Sequence, residues 1–164
     1  MNNDTNPHPQ ADIQYFWEDL TPGKTLELGQ ITVDRDEVIA FARQYDPQPF
    51  HLDDAAAAKS IFGKLSASGW HTCAMAMGIM VRNFLNRASS LGSPGLEQIK
   101  WLKPVFPGDT LHMRLRIIEA RPMNSRPDVG LIRSHWEMFN QQGDQVLLID
   151  GHAMFRRRTP ATDA

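Results

Sequence analysis

Trp70-His-Thr-Cys-Ala-Met-Ala-Met-Gly-Ile-Met-Val-Arg-Asn-Phe-Leu85 is the stretch on which the fold turns. Eleven of its sixteen residues are apolar. Read as a helix, it is apolar nearly all round, which predicts a helix buried in a core rather than one lying on a surface. Ser66 or Ser68 is placed to cap its start, and Arg82, with Arg87 just beyond, suits the negative end of its dipole.

Downstream of this helix the period changes. Ser89 to Gly95 reads as loop and Leu96–Trp101 as a strand ended by Pro104. Pro107-Gly108-Asp109 turns the chain. Leu111, Met113, Leu115 and Ile117 then alternate with His112, Arg114 and Arg116, the pattern of a half-buried strand. Residues 129–139 and 145–155 continue the alternation on either side of a turn at Asn140–Asp144, with Leu147, Ile149, Ala153 and Phe155 on one face.

Upstream, Thr25–Val33 fits an edge strand. Asp34 caps a helix with Glu37 three residues on, and Val38, Phe41, Ala42 and Tyr45 form its apolar stripe up to the stop at Pro47. Asp53-Asp54 opens a short helix over Ala55–Ser60, with Gly63 as terminator. One very apolar helix followed by long antiparallel strands packs most economically as a curved sheet wrapped around that helix, an α+β domain with the outline of a hot-dog fold.

Composition limits the function. The 164 residues carry a net charge of −2, so the basic footprint of a nucleic-acid binder is absent. A single cysteine, Cys73, leaves no internal disulfide and no multi-thiolate metal site. The methionines Met75, Met77 and Met80 suit a core, or the lining of an acyl tunnel. Residues 1–54 hold three basic groups against eleven acidic ones, while the remainder is basic on balance and could receive an anionic ligand such as a phosphate-bearing carrier. No apolar signal region and no membrane span are seen, so the expected compartment is the cytoplasm. The expected organisation is a flexible segment over 1–14, one domain over 15–158 and a flexible tail over 159–164.

Chemistry concentrates in Tyr45-Asp-Pro-Gln-Pro-Phe-His-Leu-Asp53. Asp46 and His51 flank a corner that two prolines stiffen by fixing their own φ and restricting their predecessors. A carboxylate and an imidazole aimed into one cleft hold and polarise a water and can act as base and acid. The residues alone equally fit a turn aspartate and a hydrogen-bonded core histidine. Further on, Ser66-Ala-Ser-Gly-Trp-His71 opens the apolar helix, where backbone N–H groups and a glycine allow an oxyanion to approach. Plain capping by serine fits the same residues.

Taken together, Asp46-Pro-Gln-Pro-Phe-His-Leu-Asp53, Phe62-Gly63, Ser68-Gly69 and Lys103-Pro-Val-Phe-Pro-Gly-Asp-Thr-Leu111 resemble the MaoC-like dehydratase family, which includes (R)-specific enoyl-CoA hydratases. The likeness runs from about Trp17 to Arg156. It implies a hot-dog fold, action on acyl thioesters of CoA or acyl carrier protein, a place in fatty acid metabolism, and a homodimer or higher homo-oligomer. It implies no metal or redox cofactor, and no nucleic-acid or membrane partner. Asp46 and His51 would be the catalytic pair and the Gly69 amide the oxyanion donor. Gln48, Ser68, Trp70 and Met77 would contact substrate. Three departures, Gln48 for the usual Asn, Ser68 for a common His and Tyr45 for a small residue, point to a reshaped acyl pocket. The alternatives are an acyl-CoA thioesterase on the same fold and a non-catalytic acyl-CoA binding protein.

Overall fold

A computed structural model of the chain describes residues 12–159. Most of the expected flexible ends lies outside the described residues. The elements in chain order are β1 (Thr25–Thr32), α1 (Arg35–Tyr45), α2 (Asp54–Ala58), α3 (Gly69–Asn83), β2 (Ser90–Trp101), β3 (Thr110–Met123), β4 (Arg126–Phe139) and β5 (Gln145–Arg156). All pairings between these five strands are antiparallel, in the order β1-β3-β4-β5-β2, so β1 and β2 are the two edges.

The core lies between the concave face of this sheet and one side of α3. Met75, Ala76, Ile79 and Met80 of α3 meet Leu111, Met113, Leu115 and Ile117 of β3 and Leu147, Ile149 and Phe155 of β5, all nearly inaccessible to water. Each large aliphatic side chain buried this way contributes about 1.5–3 kcal/mol. The alternation expected for β3 is the one found. On β5 Leu147, Ile149 and Phe155 are buried and Ala153 packs against the core, but Val146, Asp150 and Gly151 are buried as well, so burial there does not alternate.

Two expectations need correction. The apolar helix is buried on one side only: Trp70 and Met77 are half exposed and Ala74 is exposed. The segment expected as loop before Leu96 is already strand. β2 begins at Ser90 and pairs with β5 through irregular register at Gly92 and Gly95, whose φ values of 108° and 152° favour glycine. Smaller differences concern α2, which ends at Ala58. Gly63 instead belongs to the turn beyond it.

The caps follow the sequence. Asp34 accepts from the Glu37 amide at 2.9 Å, Asp53 from the Ala56 amide at 2.8 Å, and Arg87 donates to the Asn83 carbonyl at the end of α3. On the outer face of the sheet Arg133 grips Asp150 with two bonds of 2.9 and 2.7 Å, and Arg114 and Arg116 share Glu137. Among the described residues no helix is long and apolar enough to cross a membrane.

Candidate active site

The site forms where α1 stops and α3 starts. Asp46 is the C-cap of α1, its N–H bonded to the Ala42 carbonyl at 2.9 Å and its φ at −149°, because Pro47 has no N–H with which to continue the helix. Gln48 bonds back to the Asp46 carbonyl, and Pro49 opens a short 3-10 turn over Pro49–His51. This corner drives His51 inward until it is almost fully buried against the rings of Phe50 and Phe62.

The His51 tautomer follows from its partner. Nδ1 lies 2.7 Å from the Ser66 carbonyl oxygen, which can only accept, so Nδ1 carries the hydrogen. In its neutral form the ring therefore presents a bare lone pair at Nε2, which stands 3.5 Å from Asp46 Oδ2. Two acceptors at that separation are joined by a donor with two hydrogens. One water molecule is such a donor, and its own lone pairs remain free to attack.

Both oxygens of the Asp46 carboxylate are held. Oδ1 accepts from Gln48 Nε2 at 2.8 Å and Oδ2 accepts from the Ser68 hydroxyl at 2.6 Å. Burial pushes the carboxyl upward, but the hydrogen bonds from Ser68 and Gln48 outweigh it, joined by the charge of His51 whenever that ring is protonated, and hold the group below the ordinary aspartate value. Asp46 is thus ionised at neutral pH.

Ser68 also caps α3, accepting from the Trp70 amide at 3.3 Å. The Gly69 N–H that follows has no acceptor among the described residues. Glycine here is demanded by packing: Trp101 Nε1 donates to the Gly69 carbonyl at 2.8 Å, and a Cβ on residue 69 would sit 2.6 Å from that nitrogen.

A cavity of about 410 Å³ opens between these elements. Asp46, Gln48, His51, Gly69 and Thr72 supply its polar groups, while Phe50, Phe62, Trp70, Trp101, Leu102 and Val105 line much of the rest. Of the residues singled out from sequence, Asp46, His51, Gln48, Gly69 and Trp70 converge here, and Ser68 reaches the site through Asp46. Met77 does not line this cavity; it is half exposed on α3. Lys103 stands at the wall, paired with Asp144 at 2.7 Å. Phe50 and Phe62 stand within the stretches that carry the family resemblance, but no role for them as cavity lining was read from the sequence, and Trp101 was marked only as the end of a strand. His71 stacks on Phe41 at 4.7 Å, its imidazole pushed down by burial against the pull of Glu37. Among the described residues no three potential metal ligands converge.

A sheet curled around one helix, with a carboxylate and an imidazole facing each other beside that helix's amino end, defines a hot-dog domain carrying a polar cleft. The chain belongs to the MaoC like domain family, whose sequence model matches residues 19–132. It is similar to the MaoC-like dehydratase from Rhodospirillum rubrum, with 36% identity and a TM-score of 0.83 over 89% of this chain and 99% of that one. A 3-hydroxybutyryl-CoA dehydratase of Methylorubrum extorquens is 27% identical over 90% of this chain and 87% of its own length. The fold is also that of a Mycobacterium tuberculosis protein described as a double hot-dog fold, at 18% identity and a TM-score of 0.68. The match takes in 91% of this chain and 46% of that one.

Proposed function

We propose that the chain is a hydratase or dehydratase of the (R)-specific enoyl-CoA hydratase type, acting on an enoyl or 3-hydroxyacyl thioester, with CoA as the expected carrier. The observation that carries this reading is the 3.5 Å gap between Asp46 Oδ2 and His51 Nε2, two lone-pair acceptors beside an unpartnered helix-start amide. The name of the 27% identical relative, a 3-hydroxybutyryl-CoA dehydratase, supports the same reaction class.

In this reading a water donates one hydrogen to each of the pair. Its oxygen forms a bond to the β-carbon as the π bond breaks, one of its protons passes to the Asp46–His51 pair, and a proton from the pair is delivered to the α-carbon. The atoms of one water are thus added across the double bond. Charge that develops on the thioester oxygen meets the Gly69 N–H and the positive end of α3; donors of this kind contribute about 2.7–4 kcal/mol to the transition state. Dehydration is the reverse sequence.

A homodimer completes the proposal. The outer edge of β2 has no neighbouring strand among the described residues, and Leu91, Leu96, Leu102, Trp70 and Met77 present apolar surface beside it or on α3. Sedimentation should give twice the chain mass.

The deciding experiment is incubation with crotonyl-CoA. Loss of the conjugated enoyl absorbance with no free thiol is the expected result. Release of thiol would make the protein a thioesterase, and saturable binding without turnover would make it an acyl-CoA binding protein.

A further inference from the structure

We propose that Ser68 is the positioning residue of the Asp46 carboxylate, fixing its rotation so that Oδ2 keeps one lone pair aimed at the space shared with His51. This rests on the water-sharing reading above and assigns to Ser68 a task other than contact with substrate.

A serine hydroxyl has one hydrogen and two lone pairs. Ser68 is fully buried. A carboxylate can only accept, so at 2.6 Å the single Ser68 hydrogen is committed to Asp46 Oδ2. A lone pair of the Ser68 hydroxyl oxygen takes the Trp70 N–H at 3.3 Å. No hydrogen is left to offer a thioester. With Gln48 holding Oδ1 at 2.8 Å, the carboxylate plane is pinned at both ends.

The bond also has a consequence for distance. Asp46 ends α1 and Ser68 begins α3, 22 residues apart, and Gly69 follows Ser68 directly. One short contact therefore sets where the water-holding oxygen lies relative to the amide that would meet the thioester oxygen. A shift of the order of 1 Å in such an arrangement costs about a hundredfold in rate.

The test uses Ser68→Ala, Ser68→Gly and Ser68→Thr in the full chain, with crotonyl-CoA as substrate. Glycine caps helices almost as well as serine, so Ser68→Gly separates the loss of the Asp46 bond from the loss of the cap. Ser68→Ala and Ser68→Gly should lower kcat by about tenfold to a hundredfold with KM little changed. The acid limb of the pH–kcat profile should move up by about one pH unit, as expected when a carboxylate loses one charge-assisted hydrogen bond. Ser68→Thr, which keeps the hydroxyl, should restore both. A raised KM with kcat intact would make Ser68 a substrate donor and overturn the proposal. So would an unmoved acid limb, or equal damage from all three variants. If the wild-type chain hydrates no enoyl-CoA, the reaction reading fails while Ser68 stays testable by carboxyl-carbon NMR. The Asp46 titration should then move up in Ser68→Gly, and an unmoved titration would overturn the proposal.

Discussion

Gly69→Ala tests the packing that frames the site. The backbone itself would accept alanine, because residue 69 is helical and its φ is not positive. The obstacle is the indole of Trp101: the new Cβ would lie 2.6 Å from Nε1, 2.7 Å from Cε2 and 3.0 Å from Cδ1. Ordinary contact would require the ring to retreat by roughly 1 Å, which breaks its 2.8 Å bond to the Gly69 carbonyl. Overpacking of this kind costs about 1–3 kcal/mol, and the lost hydrogen bond adds about 0.5–1.5 kcal/mol. Against this, alanine is favoured over glycine in a helix by about 0.5–1 kcal/mol. The net expectation is destabilisation of about 2 kcal/mol, or roughly 4–8 °C in Tm for a chain of this size. In a Trp101→Ala background the obstacle is gone and the sign should reverse, with alanine at 69 raising stability by up to about 1 kcal/mol. Urea midpoints for the four proteins of this double-mutant cycle give the answer. Equal effects of Gly69→Ala in both backgrounds would refute the reasoning.

Two further predictions concern charge. Asp150 is held below its ordinary value first by its hydrogen bonds from Arg133, against burial, with His135 adding to the effect. Asp150→Ala should destabilise by about 1.5–3 kcal/mol in urea, the loss expected for hydrogen bonds to a charged group. For both Asp46 and Asp150 the folded value lies below the unfolded one, near 3.8. Their stabilisation is therefore fully present above about pH 4 and is lost as pH falls through the folded values. Calorimetric Tm should drop below about pH 4, and less steeply in Asp46→Asn and Asp150→Asn than in the wild type.

The sequence made the core legible where period and polarity agreed. The alternation of Leu111 to Ile117 and the run from Met75 to Met80 gave the sheet and its helix because each encodes one buried face. The Asp46–His51 corner was legible because prolines act locally. What escaped depended on distance in the chain. Ser90–Gly95 is rich in Gly, Ser and Pro and reads as loop, yet pairing with β5 makes it an edge strand whose bulges use those glycines. The half-exposed side of α3 was hidden because an apolar residue looks the same whether its own core or a second molecule would cover it. Ser68 looked like a cap and Trp101 like the end of a strand. Their contacts with Asp46 and Gly69 span 22 and 32 residues, and only the folded register brings them together.

The proposed reaction requires Asp46 and His51 to act together on one water. The direct measurement is the rate of crotonyl-CoA hydration by Asp46→Asn and His51→Gln, each first checked for a native circular dichroism spectrum. Either change should lower turnover by at least about a hundredfold, as for acid–base groups. Hydration at close to the wild-type rate in both variants would contradict it.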